Sequence, residues 1–187
     1  MDQRTLVERA RLGDHDAFAE LVHGAVGRLD VAARLIVRDP ELARDAVQDA
    51  LLRCWRDLRS LREPDRFDAW LYRLTVNACR DQVRRHRRRP IEIEIQELHL
   101  PAAPDDTTTL LERDLVDRVL RGLDHDGRAI VVLHYYLGLP LTEVASVLGI
   151  PVGTVKSRLN RALGQMRTRL SADPAAPTAR TLEVTVR

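Results

Sequence analysis

The chain has 187 residues, 44% of them hydrophobic and 31% charged, with a formal net charge of +2. This is enough apolar material for one domain or two small ones, and the charge is too balanced for a disordered chain. There is no apolar run near the roughly 20 residues of a membrane span and no basic-then-apolar export signal, and Cys54 and Cys79 lack neighbours at metal-ligand spacing. The expectation is a cytoplasmic protein with reduced core thiols, without metal, cofactor or membrane insertion.

The first ninety residues carry apolar positions three and four apart, the period of a helix with one buried face. Phe18, Leu21, Val22, Ala25, Leu29, Ala32, Ala33 and Ile36 form one stripe, and Asp39 with Pro40 supplies an N-cap and a first-turn proline for the next helix. That helix carries Ala43, Val47, Ala50, Leu51, Cys54 and Leu58 on one side. A further helix starting near Phe67 runs through Leu71, Leu74 and Ala78 into the basic run RRHRRR, 84–89.

Over 90–109 the pattern gives way to PIEIEIQELHLPAAPDDTTT, with three prolines, five acids and no Lys or Arg. Ile91, Ile93 and Ile95 alternate as in a strand, but an isolated strand has no sheet to join, so the segment reads as an extended tether. Helical periodicity returns at Leu111, Leu115, Val119 and Leu123, then through Ile130, Leu133 and Tyr136 to a stop at Gly138. The last stretch, 171–187, has little to bury and reads as a mobile tail. The fold class is therefore all-α: a helical bundle over 1–89, an acidic flexible linker over 90–109, and a second small helical domain over 110–170.

The second bundle contains helix-turn-helix grammar. Thr142 is placed to cap a short helix carrying Val144, Ala145 and Leu148, Gly149 allows a tight turn, and Pro151 opens a second helix. On that second helix Val155, Leu159, Ala162, Leu163, Met166 and Leu170 share one face. Gly153, Thr154, Ser157, Asn160 and Arg161 point the other way, with Lys156 and Arg158 flanking them. Short hydrogen-bonding side chains and forked arginines read base edges in a major groove, and flanking cations hold phosphates. A merely solvated basic face would explain the charge, but not the short helix, turn glycine and absence of acids together.

In the first bundle two faces stand out. On the helix starting at Pro40, the side opposite the core presents Asp45, Gln48, Asp49 and Leu52, an exposed apolar residue beside acids that suits docking on a basic partner surface, unless Leu52 is an ordinary surface leucine. On the helix from Phe67, Trp70, Tyr72, Arg73, Asn77, Arg80 and Arg84 mix aromatics, an amide and cations, which is the equipment for gripping unpaired bases. The bland alternative is that Trp70 and Tyr72 are core and the arginines are nonspecific phosphate contacts.

Three segments, DPELARDAVQDALLRCWRDL, RFDAWLYRLTVNACRDQVRR and LTEVASVLGIPVGTVKSRLNRAL, resemble the extracytoplasmic-function group of bacterial sigma factors, in the right order across roughly 18–170. The resemblance implies a transcription initiation factor that binds core RNA polymerase and catalyses nothing itself. The first bundle is then sigma region two, with Asp45, Gln48, Asp49 and Leu52 docking on the clamp helices of the polymerase β′ subunit. Loop 61–67 and the helix with Trp70, Arg73, Asn77, Arg80 and Arg84 melt the minus-ten promoter element and hold a flipped base. The second bundle is region four, reading minus-thirty-five duplex with Thr154, Lys156, Ser157, Arg158, Asn160 and Arg161 and meeting the β flap, while the acidic linker threads the RNA channel. Control by an anti-sigma factor covering both DNA faces is also implied. Two features depart from the pattern: Pro151 stands where the family often has a capping Ser or Thr, and the tail extends past the usual end.

Two other classes remain as alternatives. A free-standing helix-turn-helix regulator would bind a palindromic operator without polymerase, and the acidic linker argues against it. An enzyme would need a constellation the chain lacks; its best candidate, His125 between Asp124 and Asp126, reads better as a turn between helices.

Overall fold

The computed structural model describes residues 1–88 and 116–172, and every regular element among them is helical. The linker 90–109, Leu111, Leu115, Arg89 and the tail beyond 172 lie outside the described residues. Helix α1 (Gln3–Arg11) buries Leu6, Val7 and Ala10. Helix α2 (His15–Val37) starts where the Asp14 carboxylate accepts a hydrogen bond from the Ala17 amide at 3.0 Å, an N-cap held from behind by the Arg9 guanidinium. Its buried residues include Ala17, Val22, Ala25, Leu29, Ala32, Ala33 and Ile36, with Phe18 and Leu21 packed half-buried beside them.

The junction to α3 (Pro40–Asp57) forms as the sequence predicts. Asp39 accepts from the Glu41 and Leu42 amides, both at 2.9 Å, and Pro40 occupies the first turn. Two single 3₁₀ turns, Leu58–Ser60 and Pro64–Arg66, lead into α4 (Phe67–Arg88), and α2, α3 and α4 pack together around Leu29, Ala50, Cys54, Phe67, Leu71 and Cys79.

The second group begins with a helical end at 116–120. Asp124 caps α5 (His125–Val131) through the Gly127 amide at 2.7 Å, so the Asp-His-Asp triplet is a helix start. A π-turn (Val132–Tyr136) follows, and Gly138, two residues past its end, takes a φ of +72°, which explains the glycine there. Helices α6 (Leu141–Leu148) and α7 (Val152–Ala172) are separated by Gly149 at φ +66°. Thr142 does not cap α6. The helix begins one residue before it, and the Pro140 carbonyl accepts from the Glu143 and Val144 amides, leaving Thr142 exposed in the first turn. Proline's fixed φ places Pro140 at the boundary, so no side-chain cap is needed to set the start. Pro151 precedes α7 and its carbonyl likewise takes the Thr154 and Val155 amides.

The two groups are not held apart. Helix α2 lies against α5 and the π-turn, α4 lies against α6, and their buried apolar residues form one continuous cluster. The two modules expected from the sequence therefore share a direct interface in addition to the tether that joins them. Its cause is visible at the end of α2, where Leu35 and Val37, outside the main stripe, are also buried, and Arg128 of α5 donates from Nε to the Ile36 carbonyl at 2.8 Å. That carbonyl is one of the four a helix end leaves without an internal partner.

Candidate nucleic-acid interface

Helix α7 is pinned by Val155, Leu159 and Ala162, all buried, with Leu163, Met166 and Leu170 half-buried on the same face. The helical period then forces Gly153, Lys156, Ser157, Asn160 and Arg161 into solvent, with Thr154 and Arg158 half-exposed at the edges. All six polar residues singled out in the sequence thus share one accessible side. Two of them are already engaged: the Ser157 hydroxyl donates to the Thr154 carbonyl at 3.0 Å, and Arg158 Nη1 donates to Asp126 at 2.7 Å.

On α4, Trp70, Arg73, Asn77, Arg80 and Arg84 recur at intervals of three and four and make one stripe. Arg73 and Arg84 are exposed, whereas Trp70, Asn77 and Arg80 are half-buried. Tyr72 lies off the stripe: it is 4% exposed and belongs to the core, where burial raises its phenol pKa. Trp70 leans on Phe67 with ring centroids 6.3 Å apart and lines a cavity of about 180 Å³ with Leu61, Arg62, Glu63, Arg66, Ala69 and Arg73; its far wall is Ser146 and Val147 of α6. The 61–67 loop is braced from outside by α1, a helix the sequence reading did not assign. Gln3 donates to the Pro64 carbonyl at 3.3 Å, Arg4 pairs with Asp65, and Arg59 donates to the Arg11 carbonyl at 3.1 Å.

The α3 face differs from its expected form in one residue. Asp45, Gln48 and Leu52 are exposed, Leu52 at 61%. Asp49 is half-buried instead, accepting from Gln82 Nε2 at 3.3 Å and paired with Arg85 at 3.5 Å, so it ties α3 to α4 as well as bordering the face. Beside Leu52 lies an apolar groove of about 500 Å³ between α2 and α3, floored by Phe18, Val26, Val47, Leu51 and Trp55 and edged by Asp30, Arg44 and Gln48. Trp55 is stacked on His15 at 4.5 Å and meets Phe18 edge-on at 4.9 Å. The groove was not anticipated, because Trp55 and His15 are forty positions apart and share no local pattern.

Among the described residues no group of three His, Cys, Asp or Glu is placed to hold a metal ion, and no helix is long and apolar enough to cross a membrane. Cys54 and Cys79 are buried, and desolvation pushes both thiols up to about 12, far from nucleophilic range.

Sequence comparison matches residues 11–89 to the Sigma-70 region 2 family and 113–166 to Sigma-70 region 4. The chain is 32% identical over 146 residues to the probable RNA polymerase sigma factor RfaY of Xanthomonas campestris pv. campestris, covering 74% of this chain but 36% of RfaY. It is 37% identical over 137 residues to the ECF RNA polymerase sigma factor SigM of Mycobacterium tuberculosis, covering 73% and 68% of the two chains. Among solved structures, CnrH in complex with the cytosolic domain of CnrY superposes with a TM-score of 0.69 at 31% identity, over 91% of this chain and 98% of CnrH.

Proposed function

The chain belongs to the extracytoplasmic-function group of the sigma-70 family, whose members direct RNA polymerase to promoters, and from that premise we propose how its own residues divide the work. The first bundle, 1–89, binds core polymerase and reads the minus-ten element; the second, 110–170, reads the minus-thirty-five element and meets the β flap. The chain contributes recognition rather than chemistry and acts in the cytoplasm.

The observation that carries this reading is the α7 face: six side chains able to donate to bases or phosphates on one accessible side, on a helix with no acidic residue. Thr154, Lys156, Ser157, Arg158, Asn160 and Arg161 give it the phosphate anchors and forked base contacts that duplex reading requires. The stripe of α4 supports the second half. Trp70 and Arg73 line a cavity beside loop 61–67, and Asn77, Arg80 and Arg84 continue the same helix stripe away from it, so an extruded base would lie against the Trp70 ring with the arginines along its backbone. Leu52 and the groove beside it, edged by Asp30, Arg44 and Gln48, with Asp45 and Asp49 on the same helix, form an apolar patch with a polar rim suited to the β′ clamp helices. An anti-sigma factor is the proposed regulator, supported by CnrH having been solved with a protein partner.

The experiment is run-off transcription with purified core polymerase on templates carrying or lacking each promoter element. Dependence of specific initiation on the chain and on both elements supports the assignment; operator binding by the chain alone, without polymerase, would favour a free-standing regulator.

A further inference from the structure

The segment between α3 and α4 is buried at every third residue. Leu61, Pro64 and Phe67 are anchored in the first bundle, while Arg62, Glu63, Asp65 and Arg66 between them are exposed. These intervening residues divide into two groups. Arg62, Glu63 and Arg66 line the cavity beside Trp70 and Arg73, with Glu63 and Arg66 paired to each other at 3.1 Å. Asp65 and the Pro64 carbonyl are tied to α1 instead: Arg4 pairs with the carboxylate, and Gln3 Nε2 donates to the carbonyl at 3.3 Å. A further tie holds the entrance of the loop, where Arg59 Nε donates to the Arg11 carbonyl at 3.1 Å, one of the acceptors that a helix end leaves without an internal partner. Helix α1 is a firm support for these ties. Leu6, Val7 and Ala10 are buried, and Arg9 near its end pairs at 2.6 Å with Asp14 at the start of α2.

The loop's two 3₁₀ turns are single turns with the poorer hydrogen-bond geometry of that helix type, so contacts from outside decide its shape. We propose that Gln3, Arg4 and Arg59 are positioning residues for base recognition. By holding Pro64, Asp65 and the loop entrance against α1, they fix where Arg62, Glu63 and Arg66 stand around an extruded base, and so set selectivity at that position of the minus-ten element. The inference rests on the reading above that loop 61–67 and Trp70 hold such a base. None of the three lines the cavity, so they act through the loop and not on the base itself. An exposed ion pair such as Arg4–Asp65 contributes little to overall stability. Recognition is more demanding, because hydrogen-bonding groups displaced by about an ångström lose most of their useful geometry. Loss of the ties is therefore read in selectivity before it is read in folding.

The test is run-off transcription by the full chain with core polymerase, on a promoter set in which each minus-ten position carries each of the four bases in turn. At the position read by the loop the parent should favour its best base over its worst by about tenfold or more. The variant Gln3→Ala, Arg4→Ala, Arg59→Ala should lower that ratio to about threefold or less, while its preferences at the minus-thirty-five element and its affinity for polymerase match the parent's. Its urea midpoint should stay close to the parent's. Asp65→Arg alone should lose the same selectivity, and adding Arg4→Asp should restore it, since both sites are exposed and the reversed pair has room to form. A merely structural role would not give that restoration. A triple variant that keeps the parent's ratio, or that loses output equally on all four bases, overturns the proposal. Should the triple variant fold poorly, the charge reversal decides, and a reversed pair that stays unselective overturns it as well. A parent with no base preference at any minus-ten position would overturn the base-reading assignment; a selective parent whose variants are equally selective overturns the positioning role alone.

Discussion

Arg80 and Arg158 come from different bundles and share one carboxylate, that of Asp126, at 3.3 and 2.7 Å. Removing either therefore has two consequences that pull in opposite directions, loss of a DNA contact and release of an intramolecular one. Arg161 is exposed on the same face of α7 and has no ion pair among the described residues. Arg161→Ala should weaken binding to the minus-thirty-five duplex by about 1–3 kcal/mol and relax base preference at one position, whereas Arg158→Ala should cost less than that. Competition binding of the polymerase complex on single-base variants of the element measures both; a larger loss for Arg158→Ala contradicts the shared-carboxylate account.

The polymerase face separates two kinds of residue. Leu52 is 61% exposed, so Leu52→Glu should leave unfolding free energy within about 0.5 kcal/mol of the parent while reducing core polymerase affinity at least about tenfold. Asp49 is also a tie to Gln82 and Arg85, so Asp49→Arg should lose polymerase binding and stability together. Urea titration beside a polymerase co-migration assay distinguishes them. Equal loss of stability in the two variants would contradict the distinction.

Local helix signals carry measurable stability. Asp39 accepts two amide hydrogen bonds at the start of α3, and Asp39→Ala should cost about 1 kcal/mol. Gly149 at φ +66° sits where a Cβ is disfavoured, so Gly149→Ala should cost about 1–2 kcal/mol although nothing lies within 4 Å of the added carbon. Chemical denaturation provides both numbers, and a neutral Gly149→Ala would show that the turn relaxes.

Acid sensitivity has an assignable part at Asp14. The Ala17 amide and then the Arg9 guanidinium stabilise its charged form, holding the carboxyl below its ordinary value. A lowered folded-state pKa contributes stability that is complete above the unfolded value, near 3.9, and disappears as pH falls through the folded one. Asp14→Asn retains a capping oxygen without the titration, so its stability should fall less than the parent's between about pH 5 and pH 2. Parallel acid slopes for parent and variant would remove Asp14 from that account.

What was legible in the sequence was local. Asp39 with Pro40, the glycines at 138 and 149, and the Val155, Leu159 and Ala162 stripe act within one or two helical turns, and each does in the structure what its pattern implies. Thr142 has the side chain of a cap but not the position, because Pro140 sets the helix start one residue earlier. The partners of Asp117 and Asp126 were illegible for a different reason: Arg38 is 79 residues from Asp117, and Arg80 is 46 from Asp126. Acids on a helix surface look solvated until the packing of two bundles brings arginines to them. Likewise α1 gave too short an apolar pattern to be assigned, and its role as a brace depends on where loop 61–67 passes.

The division of labour between the two bundles is tested most directly by initiation with core polymerase on a promoter bearing both elements, comparing the parent with Arg161→Ala and Leu52→Glu. The account predicts that the parent starts transcription at one site, that Arg161→Ala still co-migrates with polymerase but no longer distinguishes a mutated minus-thirty-five element, and that Leu52→Glu fails at polymerase binding. Undiminished, element-specific initiation by both variants would contradict it.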